Sequence, residues 1–401
     1  VMLGLGVNAH ASVTLGLFGL PLVMPDIQRD FHVSLPVAAV IGNAPGIGIL
    51  FALVAWGVLA DRRGERLVLA AGVGTAAVCF LTAVFVRAPW AVVLLLALAG
   101  AAGSAAMVGG GRIVLRWFEP PERGVAMGLR QVSYTLGMAL AGFLLPAVSA
   151  AHGLPGVLLV CSGFCLSAAL LAGLLPGEPP GQPAGQGAQR AASPYRDRAL
   201  WRVHGTSALH VVPQIVVSTY GVACLVNVYG WDKVHAGQLF GAAAIGGAVV
   251  RIAVGRWSDR TGLRMRPLRI ITVTAAAVLT LLVVAQAGAV HPAAGPVTLA
   301  LAAVITVAGN GLAYLTAGEL AGPGWAGRVL GTHNGIQNVV ALVSAPLLGV
   351  LIARTGFWAG FAAGLALCLL SLPVIPLGSE RGGEPATPRE RHDRVHGAPR
   401  R

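Results

Sequence analysis

Three arginines lie inside long apolar runs: Arg112, Arg130 and Arg251. An ionised side chain in hydrocarbon is costly and marks a functional position by default. Arg251 precedes Asp259 by eight residues, which sets it about 12 Å inside the nearest charged boundary at ~1.5 Å per helical residue. That is too deep for easy snorkelling. Its planar fork suits a carboxylate or related oxyanion through two parallel hydrogen bonds. A structural ion pair is the alternative, but no carboxylate falls deep inside an apolar run. Arg112 and Arg130 are shallower, about 10 Å from their boundary. Either can reach the headgroups or bind a neighbouring helix. Arg130, Gln131 and Tyr134 face, across a half-chain offset described below, His333, Asn334 and Gln337, with Asn338 alongside. Such residues either line a cavity or tie helices together, and the sequence leaves both readings open. The candidate substrate ligands are therefore Arg251, Arg130, Gln131, Tyr134, Asn334, Gln337 and Arg112.

Proton coupling needs an acid or an imidazole in the apolar body. Asp26, Asp30 and Glu319 sit near the ends of their runs, which leaves His10 and His210 as symmetric candidates. A lone histidine on an apolar helix also serves as hydrogen-bonded packing. Cys161 and Cys165 share a helix face, but no His or carboxylate flanks them, so packing is the expectation and no metal is expected. No cofactor is expected either. No convergent nucleophile set and no phosphate-binding glycine loop ending in Lys-Ser or Lys-Thr occurs, so neither an enzyme nor an ATP-driven pump is expected. A membrane sensor would need a soluble output domain, and the linker and termini here are short.

These residues need a frame of membrane helices. The chain has 401 residues, 56% hydrophobic and 11% charged, against about 25% charged in soluble domains. Its charge of +13 sits in short clusters between apolar runs, without interleaved aromatics, so nucleic acid is not the expected partner. Of 28 basic residues only Lys233 is lysine; with abundant Ala and Gly this points to a bacterial source. Twelve runs long enough to span a bilayer follow one another, at 2–25, 36–60, 67–86, 90–117, 124–149, 154–175, 203–229, 235–257, 268–287, 296–320, 326–352 and 356–377. The chain opens almost inside the first, as one lacking a short leader would. Residues 1–176 form one six-helix unit and 201–377 another. The Gly/Pro/Gln-rich stretch 177–200 is the linker, and 378–401 is a disordered tail. Loops carrying Arg62, Arg63, Arg66, Arg116, Arg123, Arg260, Arg264 and Arg266 alternate with loops holding only Arg29, Arg87, Lys233 and Arg354. The basic loops, the linker and both termini are thus expected on the cytoplasmic side of the plasma membrane.

The two halves repeat. Gly57-Val-Leu-Ala-Asp61-Arg62-Arg63-Gly64 recurs as Gly255-Arg-Trp-Ser-Asp259-Arg260-Thr261-Gly262, an offset of 259 − 61 = 198. Gly124-Val-Ala-Met-Gly128 recurs as Gly327-Arg-Val-Leu-Gly331, an offset of 331 − 128 = 203. The expected fold is an all-α membrane protein of two pseudo-symmetric six-helix bundles. Glycines there let helices approach closely. Asp61 can accept hydrogen bonds from a helix N-terminus and pair with an arginine.

The motif Gly57-x-x-x-Asp61-Arg62-x-Gly64-x-Arg66, with its copy at Asp259 and Arg260, resembles the signature loop of the major facilitator superfamily. The resemblance covers about residues 2–377. It implies a monomeric secondary transporter whose bundles rock about a small-molecule site near midplane, with this loop as a latch. Arg251 resembles the eighth-helix arginine of the monocarboxylate- and nitrate-type branches, which implies an anionic substrate, with a proton as a possible coupling ion. Departures exist. Leu53 stands where nitrate carriers have a second arginine, and Gly247 where monocarboxylate carriers have an aspartate. Drug exporters have an arginine at the place of Leu96 and a fifth-helix motif unlike Gly137, Gly142 and Pro146. Export of drugs or metabolites is the alternative reading.

Overall fold

The computed structural model describes residues 2–174, 193–286, 293–322 and 324–380. Among them the chain is helical, without a strand. The helices are α1 (Met2–Gly19), α2 (Met24–Phe31), α3 (Leu35–Phe85), α4 (Pro89–Gly103), α5 (Ala105–Trp117), α6 (Arg123–Gly173) and α7 (Arg198–Asn227). They continue as α8 (Lys233–Thr261), α9 (Met265–Gln286), α10 (Ala294–Ile305), α11 (Asn310–Ala321), α12 (Ala326–Thr355) and α13 (Phe357–Ser371). The linker from 177 to 192 and the tail from 381 onward lie outside the described residues.

Nine helical stretches among the described residues are long and apolar enough to cross a membrane. Two of them, in α3 and α6, belong to helices of 51 residues each, more than twice the span of a bilayer core. Each is divided by one glycine. Gly64 has φ 79° and ψ 169°, and Gly153 has φ 63° and ψ −167°. A Cβ is not tolerated in that region, so glycine ends one arm and starts the next. Divided there, and with the shorter apolar α13 added, the described residues hold twelve apolar segments. The repeat reappears in the turns: Gly262, at φ 66°, and Gly356, at φ 95°, occupy the positions 198 and 203 residues on (262 − 64 and 356 − 153). Near Gly153 the acids of α2 hold both sides of the turn, the end of the first arm and the start of the second. Asp30 accepts from the Leu154 amide at 2.9 Å, and Asp26 accepts from Ser149 Oγ at 2.5 Å.

Two segments expected to be continuous are broken. A one-residue step at Ser104 separates α4 from α5, and residues 306–309 separate α10 from α11. The breaks sit at matching places in the two halves. They also free backbone carbonyls in the apolar body, which side chains then bind: Ala101 O accepts from Trp56 Nε1 at 2.7 Å. Helix α7 starts earlier than the hydropathy alone indicates, because Asp197 caps it through the Ala199 amide at 2.8 Å.

The largest buried cluster draws on residues from Ala9 to Ala172. Two others draw on residues between Leu200 and Ile375. A small fourth cluster joins Val114, Ala126 and Met127 to Tyr314, Leu315 and Leu330. Apolar contact between the first and second halves of the chain is thus narrow and local. Replacing Gly64 or Gly153 with alanine is expected to cost about 1–3 kcal/mol of stability. A lowered unfolding temperature in detergent would show it, and an unchanged one would contradict the assignment of these turns.

Candidate functional site

The two halves meet backbone to backbone. A Cβ at Gly57 would fall on Gly327 O, and one at Gly331 on Leu53 O. On the opposite flank a Cβ at Gly124 would fall on Gly255 O, and one at Gly128 on Arg251 O. These four contacts pair α3 with α12 and α6 with α8. Farther along the same helices the contact ends: a Cβ added at Gly46, Gly335, Gly142 or Gly241 would meet no atom of another helix within 4 Å. The halves are therefore sealed at the end carrying the Asp61 and Asp259 loops and separate toward the other.

One carboxylate closes each flank of the seal. Asp61 accepts from the Gly327 amide at 2.8 Å and the Arg328 amide at 3.0 Å, capping α12. Asp259 accepts from the Gly124 and Val125 amides, both at 2.8 Å, capping α6. A carboxylate at a helix N-terminus meets both free N–H groups and the positive end of the helix dipole. Each acid belongs to one half of the chain and caps a helix of the other. Arg112 pairs with Asp61, and Arg264 pairs with Asp259 at 2.6 Å. Arg116 reaches Glu65 at 3.3 Å, while Arg123 and Arg264 both reach Glu319, at 3.6 Å and 3.5 Å. Arg62, Arg66 and Arg260 are exposed and make no ion pair among the described residues.

Arg112 is 2% exposed, so it does not snorkel, and its charge is matched by Asp61. Arg130 is 3% exposed and also turned away from the opening. Its Nη2 donates to Met107 O at 2.5 Å and its Nη1 to Gln131 Oε1 at 2.8 Å. Its guanidinium also lies over the Tyr314 ring, 4.8 Å from the centroid. Tyr314 Oη donates to the same Met107 carbonyl at 2.9 Å. Both arginines are held by partners within the protein. Arg112 is paired with Asp61 on α3, and Arg130 stacks on Tyr314 in a contact between the halves.

Arg251 differs. It stands where contact between α6 and α8 ends, and Nε donates to Val307 O, in the break before α11, at 3.2 Å. It makes no other hydrogen bond or ion pair among the described residues. Tyr134 is 42% exposed, packs edge-on against Phe18 at 5.6 Å, and lies within electrostatic reach of Arg251. Around the opening Asn310 donates to Gln214 at 2.7 Å, Asn334 to Tyr314 Oη at 3.3 Å and Gln337 to Ser207 Oγ at 2.5 Å. Gln131, Asn334 and Gln337 are half-buried. An apolar cavity of about 620 Å³, lined by Tyr229, Trp231, Leu239, Pro296 and Val297 among others, lies more than two turns from Arg251 along α8.

The two expected proton carriers sit inside the separate halves. His10 bonds Ser133 Oγ at 2.6 Å. His210 bonds Ser371 Oγ at 2.9 Å and Thr272 Oγ1 at 3.1 Å. Both imidazoles are buried. A different pair was not foreseen: His204 and His333 share a hydrogen bond, Nδ1 to Nδ1, at 2.9 Å. Glu65, Arg264, Glu319 and Tyr314 were likewise missed as parts of the seal. Arg264 lies five residues from Asp259, but the contacts of Glu65 with Arg116, of Glu319 with Arg264 and of Tyr314 with Met107 span 51 to 207 residues, a separation no local motif records.

The family model of the Major Facilitator Superfamily matches residues 8–345. An uncharacterized MFS-type transporter of Mycobacterium tuberculosis is 35% identical over 381 residues, covering 94% of this chain and 84% of the relative. A probable chloroplastic anion transporter of Arabidopsis thaliana is 33% identical over 121 residues, 29% of this chain and 23% of that one. Among solved structures, the E. coli fucose:proton symporter FucP in its outward conformation superposes with a TM-score of 0.74 at 12% identity, covering 94% of this chain and 98% of that one. The helical fold, the doubled carboxylate cap and these likenesses lead to one conclusion: the chain belongs to the major facilitator superfamily and is a multi-pass membrane transporter, not an enzyme.

Proposed function

We propose that the protein carries a small organic anion across the bacterial plasma membrane by alternating access, with Arg251 as the substrate's charge partner. One observation carries the reading. At the meeting of the halves Arg112 and Arg264 are paired with acids and both Nη atoms of Arg130 are bonded, to Met107 O and Gln131 Oε1, whereas Arg251 has no acid beside it and neither Nη bonded among the described residues. A cation in the membrane interior is stable when an anion joins it. The two free Nη groups can take a carboxylate bidentately. Tyr134, Gln131, Asn334 and Gln337 supply hydrogen bonds for the remainder of the solute. The partial likeness to a probable anion transporter supports this class.

The excess of arginine in the sealed-end loops orients that end to the cytoplasm, with both termini and the linker. The structure is then the outward-facing form, with twelve crossings in two six-helix bundles. The Asp61 and Asp259 loops are the latch holding it, and one chain suffices for transport.

Thermal-shift measurements in detergent test the substrate. A small carboxylate is expected to raise the unfolding temperature of the native protein, an effect absent in Arg251→Ala and partly kept in Arg251→Lys. Stabilisation by cationic or neutral compounds, unchanged in Arg251→Ala, would instead favour drug or metabolite export.

The latch makes a separate prediction. Asp61→Asn removes the nearer of two carboxylates paired with buried Arg112, the other being Glu65 at 3.7 Å, and breaking a buried pair costs about 3–5 kcal/mol. The variant is expected to insert in the membrane but to unfold earlier and lose transport. Removing the arginine as well, in Asp61→Asn with Arg112→Met, restores part of the stability. A double variant no more stable than Asp61→Asn would show that the pair is not coupled.

A further inference from the structure

His204 on α7 and His333 on α12 are each 1% exposed. Their Nδ1 atoms share one hydrogen bond, at 2.9 Å, and neither Nε2 has a partner. Imidazole chemistry then fixes the proton count. The ring donating from Nδ1 keeps a bare lone pair at Nε2, and the ring accepting at Nδ1 carries its proton at Nε2. The pair thus holds one vacant proton-accepting nitrogen that no packing or hydrogen-bonding role uses.

What surrounds the pair links it to the seal. The His333 ring packs edge-on against Tyr314, 5.6 Å between centroids. On its other side Tyr314 carries Arg130, and its hydroxyl bonds Met107 O in the first half of the chain. Tyr314 is therefore a side chain of the second half seated in the first, with a fixed cation on one side and the imidazole pair on the other. The acids on neighbouring elements are committed elsewhere: Asp61 and Glu65 on α3 serve Arg112, Arg116 and the α12 N-terminus, and Glu319 on α11 serves Arg123 and Arg264. The remaining titratable groups nearby are Tyr195 ahead of α7, bonded to Thr332, and His210 and Arg328 on the pair's own helices. No carboxylate touches either imidazole among the described residues. One turn toward the open end, Gln337 and Ser207 bond each other at 2.5 Å, and half-buried Gln337 gives the pair a polar approach from the opening.

We propose that the His204–His333 pair is a proton-binding site filled from the open side, and that a proton bound there loosens the sealed end. The incoming proton, taken from water, adds to the vacant Nε2. The resulting imidazolium has no anion beside it and faces Arg130 across Tyr314. The charge is relieved when Tyr314 leaves its seat and water reaches the pair. A ligand bound better by the unsealed state shifts the population toward that state. The proposal rests on the alternating-access reading but not on the anionic substrate.

Amide hydrogen exchange read by mass spectrometry, without any substrate, tests it. Peptides covering 124–131 and 326–333 report the two flanks of the seal. After correction for intrinsic rates, the native protein should lose about tenfold of their protection between about pH 8 and about pH 5. His204→Asn and His333→Asn should lose less than about twofold, while His152→Asn, at an exposed position, should follow the native protein. Protection independent of pH in the native protein, or a native response in both pair variants, would overturn the proposal. Should those variants not fold, Tyr314→Phe replaces them. It must expose the same amides already at high pH and flatten the response, and an unchanged profile overturns the proposal equally. Because no substrate is present, failure here leaves the Arg251 test untouched, and failure there leaves this one standing.

Discussion

Backbone contact across glycine governs this molecule. Between apolar helices in lipid there is no hydrophobic gain to hold them together, so association depends on close packing and polar bonds. Gly57 against Gly327 and Gly124 against Gly255 bring the helices as near as backbones can come. At that separation Asp61 and Asp259 reach the free amides of the facing helices. The bonds form only when the helices close, and the helices close only where no Cβ intervenes. Such a joint has two states with little between them, which is what a gate requires.

Charge placement follows from the same joint. The acids that cap the facing helices also pair with Arg112 and Arg264, so the charges buried in the seal are matched, while Arg62, Arg66 and Arg260 stand exposed at its rim. Beyond the last backbone contact the pattern inverts, and Arg251 stands with one carbonyl partner and no acid. The halves separate there, so the unmatched cation lies at the floor of the opening rather than within the packing. The breaks at Ser104 and at 306–309 serve this arrangement. Interrupted helices expose carbonyls inside the apolar body, and Val307 O holds Arg251 in place.

Much of this was legible in the sequence because it is written locally or repeats. Apolar runs show the spans, and the two copies of Gly-x-x-x-Asp with their half-chain offsets show the doubled latch. The partners of Asp61, a helix N-terminus and an arginine, follow from its chemistry. The breaks in the fourth and tenth segments were not legible, since Ala, Gly and Val around them read as continuous helix. Arg112 and Arg130 were ambiguous because an arginine at a given depth can snorkel, bind solute or pair internally. Only the position of Asp61 on α3, and the stacking of Arg130 on Tyr314, decides between these. His204 and His333 are separated by 129 residues and meet through the packing of α7 on α12, so nothing near either one announces the pair.

The central claim is that the two capped flanks hold one end shut while the other stands open. Spin labels at exposed positions measure it directly, because all five native cysteines are buried. One pair, at Glu119 and Arg269, spans the sealed end, and another, at Arg87 and Thr355, spans the open end. Distances between labels would be compared in the native protein and in Asp61→Asn with Asp259→Asn. The account predicts that losing both caps lengthens the first distance and shortens the second. A sealed-end distance that does not change without the two carboxylates would contradict it.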